Sequence, residues 1–356
     1  MFLLVLSLSL IIEKVILISI ILGGSLGVAM YSTWAERKVA AVMQDRRGPN
    51  RAGPFGLFQP LADGLKLFMK EEIIPNFSNK FLFILGPSLA MLMACMTSAV
   101  IPWGPDITKT DGGVISLQVA DISIGVLYIF GVVSLGVYGI MLGAWASNNK
   151  FSLLSGLRAA SQAISYELAM GISLIALVMM TGSLSMREIV AQQHGFWHDG
   201  YFTWNFFKQP LAFIIFIVCS FAELNRAPFD LAECESELIG GYHTEFSSMK
   251  LGFYLFAEYI NMFITSVILS TLFFGGYNYP GMDWVALHVG PVLFSIIGVL
   301  VLLGKAIGFI LFFMFIRWTI PRFRYDQLMN LGWKSLIPLA LINMLITGAV
   351  ILYFLK

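Results

Sequence analysis

Between Phe221 and Met262 the sequence carries Glu223, Asp230, Glu233, Glu235, Glu237, Glu245 and Glu258 against Arg226 and Lys250 alone. Seven acids and two bases leave about five net negative charges here, in a chain whose net charge is +1. The stretch lies between two apolar runs long enough to cross a bilayer. Charge at such depth costs roughly 2.5–3.5 kcal/mol per residue at a helix centre on insertion scales. Carboxyl groups crowded into that setting suit proton relay, because neighbouring acids cannot all ionise cheaply and so titrate as a coupled set. The competing reading is a solvated acidic loop. Phe221, Phe229, Tyr242, Phe246 and Phe253 are interleaved with the acids and need apolar surroundings, which argues against that. Glu167, about ten residues into an earlier apolar run, and Lys305, inside a later one, are further intramembrane charges of the kind that face a bundle interior.

The elements that hold these groups follow from composition. Hydrophobic residues make up 58% of the chain and charged residues 12%, about half the usual charged fraction of a globular protein. The expected fold is all-α: a polytopic membrane protein with about eight transmembrane helices, forming one membrane domain over residues 1–356. Apolar runs fall at 11–31, 80–102, 117–143, 158–182, 209–225, 250–275, 290–317 and 335–355. Sixteen Lys and Arg residues fall in loops and span ends on one side and five on the other. The richer side is expected to face the cytoplasm, with both termini outside. The apolar start has no basic flank of the signal-peptide kind. No internal repeat suggests inverted transporter halves. Cys95, Cys219 and Cys234 are far apart, and His194 and His198 lack an acid or thiol at ligand spacing, so no metal site is expected. No nucleic-acid partner is expected either.

Residues 32–79 read as a cytoplasmic loop. Gly48-Pro49-Asn50 and Gly53-Pro54 are turn formers. Across 57–70, Leu57, Leu61, Leu65 and Phe68 share one helical face, with Gln59, Asp63, Lys66 and Lys70 on the other. That pattern predicts an amphipathic helix lying at the interface rather than crossing it. Residues 225–249 read as a second, acidic cytoplasmic loop.

Four blocks carry a resemblance. They are E-R-K-V with Q-D-R-R-G-P-N-R, G-P-F-G-L-F-Q-P-L-A-D and K-L-F-x-K-E in the first loop; G-A-W-A-S-N-N-K-F-S-L-L-S-G-L-R-A-A-S-Q-A-I-S-Y-E at 143–167; A-E-L-N-R-A-P-F-D-L-A-E-C-E-S-E-L-I-G-G-Y-H-T-E-F at 222–246; and R-W-T-I-P-R-F-R-Y-D-Q-L-M at 317–329. Together they resemble the membrane-subunit family at the heel of respiratory complex I: the H-type membrane subunit of the bacterial proton-pumping NADH:quinone oxidoreductase and its mitochondrial counterpart, subunit 1. Ser123 and Ser155 depart from the pattern, which has Asn and Gly there.

The resemblance implies a subunit of the bacterial plasma (inner) membrane that joins a peripheral redox arm to a pumping arm. Its substrate would be a quinone entering from the lipid bilayer. Flavin and iron–sulfur clusters would belong to partner subunits, in agreement with the cysteine spacing. Its partners would be the peripheral quinone-site subunits and antiporter-like membrane subunits. On this view Arg37, Arg46, Arg47, Arg51, Asp63 and Lys66 lie along the quinone path or dock the peripheral arm. Arg226 and Asp230, flanking Pro228-Phe229 at the mouth of the fifth span, would form a charge pair beside an aromatic, a gate for the quinone head. Glu167, Glu223, Glu233, Glu235, Glu237, Glu245 and Glu258, with Lys305 as a counter-charge, would couple quinone reduction to proton movement. Two other readings remain open from the residues: a membrane anchor of a related hydrogenase, and a stand-alone secondary transporter.

Overall fold

The structure, a computed structural model, describes residues 8–108, 113–195, 197–198 and 201–354; the side chains of 8, 9, 197, 198, 201, 202, 235, 236 and 354 lie outside the description. The helices in chain order are α1 (Leu8–Met43), α2 (Gln59–Met69), α3 (Lys80–Met96), α4 (Gly125–Ala146), α5 (Lys150–Thr181), α6 (Met186–Ala191) and α7 (Asn205–Lys208). They continue with α8 (Pro210–Glu223), α9 (Glu235–Leu238), α10 (Ser248–Phe273), α11 (Met282–His288), α12 (Pro291–Thr319), α13 (Tyr325–Asn330) and α14 (Ile337–Phe354). A π-helical turn, Leu331–Leu336, joins the last two. The only strands among the described residues form two antiparallel hairpins of two residues per strand, Ile107–Thr108 with Val114–Ile115 and Trp197–His198 with Tyr201–Phe202. The protein is an all-α, multi-pass membrane protein.

Among the described residues, seven helices are long and apolar enough to span a bilayer. The expected span at 209–225 is instead the shorter helix α8, of 14 residues. At a rise of ~1.5 Å per residue it covers about 21 Å, less than the ~30 Å hydrocarbon core. Two span boundaries differ from the hydropathy pattern in a way that bears on the site. The first helix runs on to Met43 through residues 32–43, because Ala40 and Ala41 continue its buried face beyond the first charges. The fourth span begins at Lys150, where the Asn149 side chain caps the Phe151 N–H at 2.9 Å; an Asx cap of this kind satisfies an otherwise orphaned first-turn donor. It ends at Gly182, whose φ of 71° gives the left-handed C-terminal stop.

Helix α10 is the hub. It packs against α1, α3 and α12, and 67% of its most apolar window is buried, the highest share of any span. Charges on it therefore lie in the interior. The amphipathic helix forms as expected at Gln59–Met69, with Pro60 in its first turn, where the missing N–H does no harm. Leu61, Leu65 and Phe68 point outward, while its polar face meets α1 and α10.

The 70s loop and the start of α10 sit at one end of the bundle, where the Ile73 N–H donates to the Ser247 hydroxyl at 3.0 Å. Helix α11 lies after α10 and before α12, at the opposite end. Single cysteines at Ser78 and Ser247 should therefore react with an impermeant thiol reagent from one side of sealed vesicles, and one at Asp283 from the other. Labelling of all three from the same side would overturn this arrangement.

Candidate functional site

A chamber of about 510 Å³ opens between α1, α2, α10 and α12. Its polar wall is Glu36, Arg37, Arg46, Asp63, Lys66 and Arg317; Leu251, Leu255, Phe256 and Trp318 supply apolar surface. Arg37 and Asp63 close on each other at 2.7 Å, and Gln59 donates to the same carboxylate at 3.3 Å. The polar face of the amphipathic helix thus forms one side of the chamber, while its apolar face points away. A large, mostly apolar cavity with a few convergent polar groups suits a small hydrophobic molecule with a polar head. Arg47 and Arg51 are exposed and do not line the chamber.

At the chamber's inner wall stands Glu36, which nothing in the local sequence singles out. Its side chain is 7% exposed and that of Arg226 is 6%. Arg226 donates to one Glu36 oxygen at 2.7 Å and Tyr259 to the same oxygen at 2.8 Å, while Arg317 holds the other. The Arg226 guanidinium also stacks on the Tyr259 ring, 4.2 Å from its centroid. One carboxylate, two guanidiniums and a phenol from four parts of the chain form a single buried knot. Arg226 and Asp230 are therefore not the mutual pair expected: each has its own partner. Asp230 takes Arg322 at 2.6 Å and also accepts the Glu233 N–H at 3.1 Å. Burial and the nearby Glu233 push the Asp230 carboxyl above its ordinary value, against the pull of Arg322. Phe229 is buried between Tyr166 and Phe323, with ring centroids 5.4 and 5.5 Å away. It packs the loop rather than lining the chamber.

Beyond Arg226 lies a pair of carboxyls. Glu233 and Glu258 hydrogen-bond to each other, and Tyr242 donates to Glu258 at 2.7 Å. Burial, then the Glu258 charge, push Glu233 up to about 8, with His243 opposing. Arg226 faces Glu36 on one side and Glu258 on the other, so one guanidinium serves both acidic groups. Next comes a cavity of about 60 Å³ lined by Glu258, Asn261, Tyr242, Asn225, Thr265 and Glu223, among others. At ~10–15 Å³ per enclosed probe site it has room for a few waters with polar partners. Glu223 feels the charge of Glu167, and Glu167 accepts the Ser134 hydroxyl. The 222–229 segment is held by Gln162, whose amide donates to the Ala222 and Phe229 carbonyls at 2.7 Å each. The succession is Glu36, Arg226, Glu258 with Glu233, then Glu223 and Glu167.

Other expected members lie off this line. Glu237 is half-exposed and pairs with Arg158 at 2.7 Å. Glu245 accepts from the Asn149 amide at 2.7 Å. The side chain of Glu235 lies outside the described residues. Lys305 does not meet a glutamate; its ammonium donates to the Phe274, Gly276 and Asn278 carbonyls at 2.6, 2.8 and 2.6 Å. It gathers the carbonyls of the turn that follows α10, just beyond the helix C-terminus.

A family model described as NADH dehydrogenase matches residues 15–348. The chain is 64% identical over 96% of its length to the NADH-quinone oxidoreductase H subunit of Flavobacterium johnsoniae, covering 96% of that protein. It is also 64% identical over 96% of its length to the NADH-quinone oxidoreductase H subunit numbered 1 of Cytophaga hutchinsonii, covering 97% of that protein. It is 46% identical over 94% of its length to the H subunit of the same enzyme in Thermomicrobium roseum, with 94% of that protein covered.

Glu233 should hold its proton at neutral pH and lose it as pH rises through about 8. Its folded value lies above the ordinary 4.5. The native state therefore binds the proton more tightly than the unfolded chain, and this group's contribution to stability falls as pH climbs from about 4.5 towards 8. An infrared carboxylic-acid band that titrates near 8 and loses a component in Glu233→Gln is the expected result. Identical bands in wild type and variant across that range would contradict it.

Proposed function

The chain belongs to the NADH dehydrogenase family, as a membrane subunit of NADH-quinone oxidoreductase, and from that premise we propose that it forms part of the quinone path and couples quinone reduction to proton translocation through its buried glutamates. The observation that carries this reading is the shared guanidinium of Arg226, which touches the chamber wall through Glu36 and faces the carboxyl pair through Glu258. Flavin and iron–sulfur clusters are assigned to partner subunits, the peripheral arm docks at the loop side of the chamber, and antiporter-like subunits receive the proton signal laterally. The membrane is the bacterial plasma membrane, with both termini outside.

A quinone is the substrate that the chamber's make-up suits. Its isoprenoid tail would lie against Leu251, Leu255, Phe256 and Trp318, and its head among Glu36, Arg37, Asp63 and Arg317. Polar change at the head alters the field on the Glu36 knot. In a protein interior of effective dielectric ~20, a unit charge at 4 Å is worth about 4 kcal/mol and half that at 8 Å. Each ~1.4 kcal/mol moves a protonation equilibrium tenfold. A disturbance at Glu36 that shifts Arg226 by even part of this amount changes the proton affinity of Glu258 and Glu233. From there Tyr242, the polar cavity, Glu223 and Glu167 extend the path into the bundle. The hydrogenase-anchor and transporter readings lack any such support, since the relatives above are named as subunits of quinone oxidoreductases.

Asp63→Asn keeps size but breaks the ion pair with Arg37 at the chamber wall. In the assembled complex it should lower quinone reduction roughly tenfold or more, on the scale of misplaced reactants. Electron transfer from NADH to an artificial acceptor upstream should be unchanged. Equal loss of both activities with intact subunit composition would refute the assignment of the chamber.

A further inference from the structure

One titratable side chain beside the carboxyl pair has no part in the path so far. His243 closes the short 3-10 turn Gly241–His243 that leads out of the acidic loop. The turn is pressed against residues 232–233. Gly241 adopts φ +66°, and a Cβ there would meet the Ala232 carbonyl oxygen at 1.9 Å, so only glycine allows the approach. The same Ala232 carbonyl accepts the Ser155 hydroxyl of α5, and the Ser152 hydroxyl donates to the Tyr242 carbonyl at 2.9 Å. The loop and turn are thus pinned to one rigid helix. The result places His243 Nε2 3.8 Å from the nearer Glu233 oxygen. That gap is longer than a direct hydrogen bond, but a small ring rotation or one bridging water closes it. The His243 side chain is 17% exposed and that of Glu233 20%, so the ring and the carboxyl it faces both keep partial contact with the aqueous end of the loop.

The charges around the ring come from several elements. Glu233 faces it from the acidic loop, and Glu258 of α10 lies behind Glu233 with Arg226 beyond. Tyr242, edge-on to the imidazole with centroids 4.7 Å apart, donates to Glu258. Glu245 is turned to Asn149 and Glu237 to Arg158. The acid that the ring meets is therefore the one joined to the coupling path. Imidazole is the side chain whose unperturbed titration falls near neutrality, and its two nitrogens can take a proton on one side and give it on the other.

We infer that His243 is the proton donor through which the Glu233–Glu258 carboxyl pair is loaded from the aqueous side of the loop. This rests on the coupling role proposed above. The step balances simply: imidazolium gives its Nε2 proton to the Glu233 carboxylate, and the neutral ring then takes a proton from water. One proton moves inward and nothing is oxidised.

The test uses the assembled complex in sealed vesicles, with turnover, proton translocation and subunit composition measured for His243→Ala, His243→Asn and Glu233→Gln. Positioned proton transfer is worth ~10²–10⁴-fold, so both histidine variants should lose about tenfold or more of coupled turnover at alkaline pH. The loss should be smaller at acid pH, where free protons are plentiful. Added imidazole should restore His243→Ala. Asparagine keeps hydrogen bonding without titrating, so full turnover in His243→Asn, or no rescue of His243→Ala by imidazole, would overturn the inference. If His243→Ala does not assemble, His243→Asn decides alone. Loss in Glu233→Gln together with full activity in His243→Asn would leave the coupling role standing and remove only the donor. Full pumping in Glu233→Gln would remove the coupling role itself.

Discussion

A carboxylate within the first membrane helix has to be neutralised, and Glu36 is neutralised by two guanidiniums. An ion of that size moved into an apolar interior carries a penalty of several kcal/mol even after relaxation, and removing one partner of a buried pair typically costs about 3–5 kcal/mol. Arg226 comes from the loop after α8 and Arg317 from the end of α12; Tyr259 comes from α10. The requirement to bring these four groups together fixes how α1, α10, α12 and the acidic loop sit relative to one another. The chamber exists because the amphipathic helix α2 lays its polar face across the opening that they leave.

The same requirement links the chamber to the interior. Arg226 cannot serve Glu36 without standing beside Glu258, since the loop that carries it folds back over α10. That fold is held by Gln162 on the carbonyls of 222 and 229 and by the Phe323 N–H on the Pro228 carbonyl at 3.0 Å. The acidic loop is thus clamped by neutral hydrogen bonds to α5 and to the segment before α13. Its acids add ion pairs to that clamp, Asp230 with Arg322 and Glu237 with Arg158. Three tyrosines, Tyr242, Tyr254 and Tyr259, stand along α10's polar side and donate to Glu258, to the Gly139 carbonyl and to Glu36 respectively.

Much of this is legible in the sequence. Composition sets the fold class, and the period of Leu61, Leu65 and Phe68 marks α2. The crowding of acids between two spans points to Glu223, Glu233 and Glu258, and Glu167 is marked by its depth. What escapes is pairing over long distances. Glu36 stands in a run of three charges, Glu36-Arg37-Lys38, and reads as the start of a wet loop, because hydropathy stops where the charges begin although the helix does not. Its partners are 190, 223 and 281 residues away, and no local pattern announces them. Lys305 reads as a counter-charge for acids because a lysine in mid-span needs a partner. Its partners are backbone carbonyls of the turn after α10, which the sequence does not display. Glu237 and Glu245 share the acidic run by composition only; α5 and its capping turn draw them aside.

The coupling path stands on Arg226 and Glu258 transmitting what happens at the chamber. The most direct measurement is the number of protons translocated per electron pair in vesicles bearing the complex with Glu258→Gln. The substitution keeps shape and the hydrogen bond from Tyr242 but removes the titrating proton. Coupling through Glu258 predicts that quinone still binds, that residual turnover continues, and that this ratio falls. An unchanged ratio at undiminished turnover would contradict it.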